Sequence, residues 1–342
     1  MVNLAVIHDE QQQRLEVKLR RELGDPILSL LADDRTEDIL LNPDCSLWTK
    51  RMGEGLTRVG EMAPAQAASA LGTIAAWRGT VLNHEHPILE TELPIDGSRF
   101  EGIVPPVVRH PIFAIRLRPR KIFTLGDYEA DQVMTKKGDP LNRLRRQEDF
   151  VASIRDLSHA DVIRAAVRAR KNILVVGSTG SGKTTLVNAI LDSLAHITPS
   201  DRVISIEDTT ELQCAVENYL DLRAVGNVTM LACLRACMRL KPTRIVVGEV
   251  RGAEAHTLLK SWNTGHPGGA ATVHANDAVS GLIRLESLVA EATSAPQQTL
   301  IAEAVNVVVF VDEEPDLKAG RKVREVLLVT GYRDGRYQVE HV

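Results

Sequence analysis

The chain has 342 residues, with 41 Lys plus Arg against 45 Asp plus Glu and a formal net charge of −4. That balance excludes a globally basic nucleic-acid wrapper, leaving only a local basic patch open, and the length suits two cores better than one. No apolar run approaches a membrane span, and Met1 to Arg20 mixes His8, Asp9, Glu10 and three glutamines where a secretory segment would be apolar. The four cysteines (Cys45, Cys214, Cys233, Cys237) lack Cys-x-x-Cys spacing, so a cytoplasmic protein with reduced, mostly buried thiols is expected.

In chain order, Glu10 to Leu23 has helical spacing, and Glu37 to Leu41 and Leu47 to Val59 read as strands, the latter folded around Gly53-Glu54-Gly55. Pro64 to Trp77 is an alanine-rich helix closed by Gly79. Ile88 to Pro94 and Ser98 to Val104 form a hairpin around Asp96-Gly97, and Pro111 to Arg118 alternates as a half-exposed strand does. These elements predict a small α+β domain over 1–119. Residues 120–150 read as a linker, with room for one helix and with Lys136, Lys137, Arg143, Arg145 and Arg146 in one basic run.

From 151 to 342 the pattern changes. A helix over Leu157 to Arg170 is followed by short apolar strands at Ile173–Val176, Val203–Ile206, Ile245–Val247, Ala270–Val273 and Asn306–Val311, alternating with helices. Such alternation requires crossovers and a mostly parallel sheet, so the fold class is α/β here and ligands should gather at the carboxyl ends of the strands. Cys233 and Cys237 sit one turn apart on an apolar helix face. A last hairpin, Glu325–Thr330 with Tyr332–Val339 around Asp334-Gly335, reads as an edge ribbon.

The unusual residues fall just after the strands. Gly177, Ser178, Thr179, Gly180, Ser181, Gly182, Lys183, Thr184 and Thr185 lie between an apolar strand and a helix, the context of a phosphate-binding loop. Its glycines let successive N–H groups converge on phosphate oxygens, Lys183 reaches the β/γ phosphates and Thr184 is placed to ligate Mg²⁺. Glu207-Asp208-Thr209-Thr210-Glu211 can hold Mg²⁺ through water and orient a nucleophile, or can be a solvated acidic turn opening a helix. Glu249 stands at a strand tip as the candidate general base, the alternative being a carboxylate that supports the metal without moving a proton. Arg251 and Glu254 either serve the site or pair with neighbouring charges. His266 and His274 bracket the fourth strand, and His274 at its carboxyl end is the better candidate for sensing a γ-phosphate.

These residues carry a resemblance. Gly177 to Thr185, Ile206-Glu-Asp-Thr209 with Glu211, Gly248-Glu-Val-Arg251 with Glu254, and Trp262 to Asn276 are similar in order and spacing to the Walker A, Asp-box, Walker B and His-box segments of the secretion ATPases. Asn263-Thr-Gly-His-Pro-Gly268 resembles most the type IV secretion and conjugative-transfer branch. The resemblance implies a homohexameric motor with a PAS-like N-terminal domain and a RecA-like C-terminal domain clamping ATP and Mg²⁺, the metal served by Thr184 and Asp208. It further implies Glu249 and Glu211 nearest hydrolysis with Asp208 and Glu207 supporting, Arg99 and Arg118 reaching the phosphates, a hinge in the linker, and inner-membrane partners of a secretion apparatus reached peripherally from the cytoplasm. The four-cysteine zinc module usual in the type II branch is missing, and the pilus-retraction branch lacks the Trp262 to Gly268 wording. Two other readings stay open: a nucleotide-gated assembly scaffold, and a nucleic-acid translocase suggested by the basic run from Lys136 to Arg146.

Overall fold

The structure is a computed structural model that describes residues 4–119, 122–134 and 143–342. The chain divides into two compact units, Met1–Asn142 and Arg143–Val342. Lys136 and Lys137 of the basic run, and the side chains of Arg143, Arg145 and Arg146, lie outside the described residues.

The first unit is one antiparallel sheet of six strands, β1 (Thr36–Leu41), β2 (Ser46–Arg51), β3 (Leu56–Glu61), β4 (Ile88–Glu92), β5 (Arg99–Ile103) and β6 (Ile112–Arg116), in the order β3-β2-β1-β6-β5-β4. Helices α1 (Leu4–Ala32) and α2 (Pro64–Trp77) seal one apolar cluster with it, built on Leu19, Leu23, Ile27, Leu71, Ile74, Phe100 and Phe113. The helix expected to stop at Leu23 resumes beyond it. Gly24 breaks it at φ 74, and the chain turns helical again with Pro26 in the next first turn, where a missing N–H costs nothing.

A short helix, α3 (Leu125–Ala130), carries a Thr124/Asp127 capping box. Helix α4 (Arg143–Ile154), inside the segment read as linker, buries Phe150, Val151 and Ile154 in the core of the second unit. That core fills the space around strands β7 (Ile173–Gly177), β8 (Val203–Glu207), β9 (Tyr219–Arg223), β10 (Arg244–Val247), β11 (Ala270–His274), β12 (Val307–Glu313), β13 (Arg321–Arg333) and β14 (Arg336–His341). Their order is β14-β13-β12-β7-β11-β10-β8-β9, parallel from β12 to β9 and antiparallel from β12 to β14. The helices are α5 (His159–Arg168), α6 (Lys183–Ile197), α7 (Met230–Cys237), α8 (Glu254–Asn263), α9 (Ala278–Ala290) and α10 (Gln298–Ala304).

Two differences from the sequence expectations concern β8 and its surroundings. Strand β9 was not anticipated, because Tyr219-Leu-Asp-Leu-Arg buries only Leu220 and Leu222 fully and runs along one sheet edge. The acidic run 207–211 opens no helix. It leaves β8 as an irregular segment leading to β9, so a helix dipole is not what collects those carboxylates.

Candidate functional site

The carboxyl ends of β7, β8, β10 and β11 meet at one place. At the end of β7 the backbone turns through Gly180 (φ 80) and Gly182 (φ 94), conformations in which a Cβ is strained, and enters α6. A Cβ at Gly177 would lie 2.3 Å from Val311 O and 2.4 Å from Ser181 Oγ, so the loop closes only around glycine. Ser178, Thr179 and Gly180 are exposed along the rim. Ser181, expected on the ligand side, turns its buried hydroxyl inward to donate to Ser178 O at 2.9 Å, so this side chain holds the loop shape.

Lys183 is buried and folded back, donating to Gly177 O (3.1 Å) and Ser178 O (2.7 Å) and lying 3.2 Å from His274 Nδ1. Burial lowers its pKa from the usual ammonium range, and the Glu249 carboxylate works against that shift. His274 at the tip of β11 also places Nε2 2.8 Å from Glu249 Oε1. Since an ammonium only donates, Nδ1 accepts from Lys183 and the ring proton sits on Nε2, facing the carboxylate. The other Glu249 oxygen takes Arg251 Nη2 at 2.6 Å, and Arg251 Nη1 reaches Asp208 Oδ2 at 2.5 Å. A continuous polar chain therefore runs Lys183, His274, Glu249, Arg251, Asp208. The two carboxylates hold the Arg251 cation, the Glu249 bond foremost, and raise its pKa further.

Glu207 is the organiser of the acidic segment. Its Oε1 accepts from the backbone N–H of Glu211 (3.0 Å) and of Leu212 (2.9 Å), and burial raises its pKa against those two bonds. Asn188 of α6, which the sequence did not flag, ties the same segment down through Glu211 O (3.0 Å) and Gln213 N (2.9 Å). Gly248 keeps room for Glu207, whose Cγ would lie 3.0 Å from a Cβ there. Thr184, Glu207, Asp208, Thr209, Glu211, Gly248, Glu249 and Arg251 line one recess beside the loop.

Other expected residues lie elsewhere. Glu254 pairs with the backbone rather than with the Arg251 side chain, accepting from Arg251 N (2.7 Å) and Gly252 N (2.9 Å) at the start of α8. His266 is at the opposite end of β11 from His274 and lies 2.8 Å from Pro242 O. The stretch from Trp262 to Gly269 is an anchor for the amino end of the sheet. Asn172 Oδ1 accepts from Gly268 N (2.7 Å) and Gly269 N (3.0 Å), and the fully buried Arg244 donates to Gly268 O (3.0 Å), Val167 O (3.0 Å) and Asp201 Oδ2 (2.6 Å). In the first unit, Arg99 is exposed at the start of β5, and Arg118 pairs with Glu92 at 2.9 Å.

A strand-loop-helix cradle with its lysine, beside a carboxylate-lined recess, binds a phosphate chain. The family model described as type II/IV secretion system protein matches residues 143–316. The conjugal transfer protein TrbB of Rhizobium radiobacter is 43% identical over 328 residues, 96% of this chain and 94% of that protein. The chain belongs to the type II/IV secretion system protein family. Within that family it is also 33% identical to the type IV secretion system protein PtlH of Bordetella pertussis, over 73% of this chain and 76% of that protein. The VirB11 ATPase from the Brucella suis type IV secretion system, solved in complex with sulphate, superposes with a TM-score of 0.84 at 26% identity, covering 93% of this chain and 96% of that one. Like that two-domain relative, this type II/IV secretion family member carries an α+β unit ahead of an α/β unit with the phosphate loop. Among its described residues no helix is long and apolar enough to cross a membrane.

Proposed function

We propose that the protein is an ATPase that converts ATP and water to ADP and phosphate and, as a homohexamer, drives type IV secretion of the conjugative kind or assembly of its pilus. The observation that carries this is the chain from Lys183 through His274 to Glu249, which links the phosphate cradle to a strand-tip carboxylate. Similarity to a conjugal transfer protein over 96% of the chain supports the transport role, and we place that work peripherally at the inner membrane with partner components of the apparatus as part of the same proposal.

In this reading the backbone of Gly177 to Thr185 cradles the phosphates, and Lys183 leaves its carbonyl partners for the β/γ oxygens. Glu249 accepts a proton from the attacking water, oriented by His274 Nε2–H and Arg251. His274 loses its Lys183 partner when phosphate takes the ammonium, so its contacts report the nucleotide state. Glu211 positions the water, and Glu207 fixes Glu211 through the backbone. Arg99 and Arg118 are proposed as transition-state arginines, Arg118 exchanging Glu92 for phosphate oxygen.

Among the described residues no group of three or more His, Cys, Asp or Glu could hold a metal unaided. Thr184 and Asp208 line the recess with hard oxygen donors, and Mg²⁺ takes few protein ligands. Thr184 and Asp208 would hold it, and it would supply charge neutralisation on the phosphoryl group. Lys183→Ala is expected to lose nucleotide binding and hydrolysis while melting as a folded protein. Glu249→Gln is expected to bind ADP as the parent does with phosphate release lowered about 10²- to 10⁴-fold. Parental turnover in either variant refutes the assignment, and ring formation on ATP without steady turnover favours the scaffold.

A further inference from the structure

On the side of the phosphate loop away from the carboxylate recess stands a cation that the mechanism above does not use. Arg321 opens β13, and its guanidinium donates from Nη1 to Thr185 Oγ1 at 2.8 Å and from Nε to Ala319 O at 3.1 Å. Both acceptors are neutral, and among the described residues no carboxylate forms an ion pair with it, Glu313 standing opposite it on β12. The other cations of the site are engaged: Arg251 lies between two carboxylates and Lys183 is folded onto carbonyls and His274. An exposed guanidinium without a counter-ion, at the mouth of a backbone anion cradle, is arranged for an anion.

Its position is built. The turn before it is closed by Glu314 N to Gly320 O (3.0 Å) and Gly320 N to Leu317 O (2.8 Å), and Arg324 clamps the base of the hairpin through Glu313 O (3.0 Å). Gly182 yields the space: a Cβ there would lie 2.4 Å from Arg321 Nη1 and 2.7 Å from its Cδ. A glycine at this point therefore serves both the loop's positive φ and the approach of the guanidinium. Thr184 and Thr185, successive on α6, point about 100° apart, Thr184 into the carboxylate recess and Thr185 to Arg321. A phosphate chain whose reacting end lies in the recess must run out past Thr185. We infer that Arg321 binds the α-phosphate side of the nucleotide and sets affinity for ADP and ATP alike, in contrast to residues that meet only the transferring γ-phosphate. This rests on the nucleotide reading given under Proposed function.

The experiment is calorimetric titration of the full chain with ADP and with the slowly hydrolysed analogue ATPγS, for the parent, Arg321→Ala, Arg321→Lys and Lys183→Ala. Removing a charge-assisted contact is expected to weaken both ligands by the same factor, about tenfold. The lysine variant should recover part of the loss, and that loss should shrink as salt rises. Arg321 is exposed, so the variant is expected to melt with the parent. ADP affinity within twofold of the parent while Lys183→Ala abolishes binding overturns the inference and leaves the ATPase reading standing. A loss confined to ATPγS also overturns it, because the contact would then be to the γ-phosphate. A parent that binds neither ligand removes the nucleotide reading and this inference with it.

Discussion

The glycine at 268 separates a structural account of the Trp262 to Gly269 stretch from a chemical one. Its φ is +90, and a Cβ added there would lie 2.5 Å from Arg244 Nη1 and 3.0 Å from the backbone Cα of Arg170. Gly268→Ala thus forces a left-handed alanine, costing about 1–2 kcal/mol, and displaces the Arg244 guanidinium from Gly268 O, a charge-assisted bond of about 1.5–3 kcal/mol. Neither Arg244 nor Asp201 can turn to water, since their side chains are 0% and 3% exposed. The sum is about 2.5–5 kcal/mol, and at roughly 2–4 °C per kcal/mol for a unit of this size the melting temperature should fall by about 5–20 °C. Differential scanning calorimetry with ADP titration on the same sample tests this. ADP affinity is expected within about threefold of the parent, the loop lying a full strand, about 15 Å, from the phosphate cradle. A variant that melts within about 2 °C of the parent but binds ADP more than tenfold worse would refute the structural account.

Two more predictions follow from burial. Glu207 has its folded pKa raised by burial, so its ionised form opposes folding: stability from this group is full below the unfolded value of 4.5 and is lost as pH rises through the folded one. Glu207→Gln keeps the Oε1 acceptor for Glu211 N and Leu212 N, so it should melt above the parent at pH 7 with the gap closing as pH falls toward 4.5. A gap that widens on acidification contradicts the reasoning. Cys233 and Cys237 are both fully buried on α7, and burial pushes the Cys233 thiol up to about 12 and Cys237 higher still. Iodoacetamide followed by peptide mass mapping should label the half-buried Cys45 first and these two only on unfolding; labelling of Cys233 at the Cys45 rate in the native protein would be inconsistent with this packing.

What could be read from the sequence was whatever local chemistry dictates. Pro64 to Trp77 has a proline start and an unbroken apolar face, and it forms between those residues. Asp334-Gly335 makes the last hairpin because both residues take positive φ, 52 and 73. The phosphate loop declared itself because glycine spacing, strand and helix are contiguous. Long-range placement was less legible. Arg321 is 136 residues from Thr185, and only the antiparallel return of β13 along β12, itself beside β7, brings them together. His266 and His274 are close in sequence yet lie at opposite ends of one strand, so position relative to strand direction, not proximity in the chain, separates anchor from site. Arg251 was ambiguous because its partners, Asp208 and Glu249, come from the ends of different strands.

Strand β11 lies between the strand that leads into the phosphate loop and the strand that leads to Glu249, paired in parallel with both. Its amino end is fixed through the Asn172 and Arg244 bonds at Gly268, so it behaves as a beam clamped at one end, with His274 at the other. On the proposed function, a change of nucleotide is expected to leave as rotation of side chains at the beam's free tip. The polar chain from that tip through Glu249 and Arg251 ends on Asp208, outside any ladder, whereas Glu211 to Gln213 are held by Glu207 and Asn188. On the proposed function the sheet is the stator, and the turn from Asp208 to Thr210 is the lever.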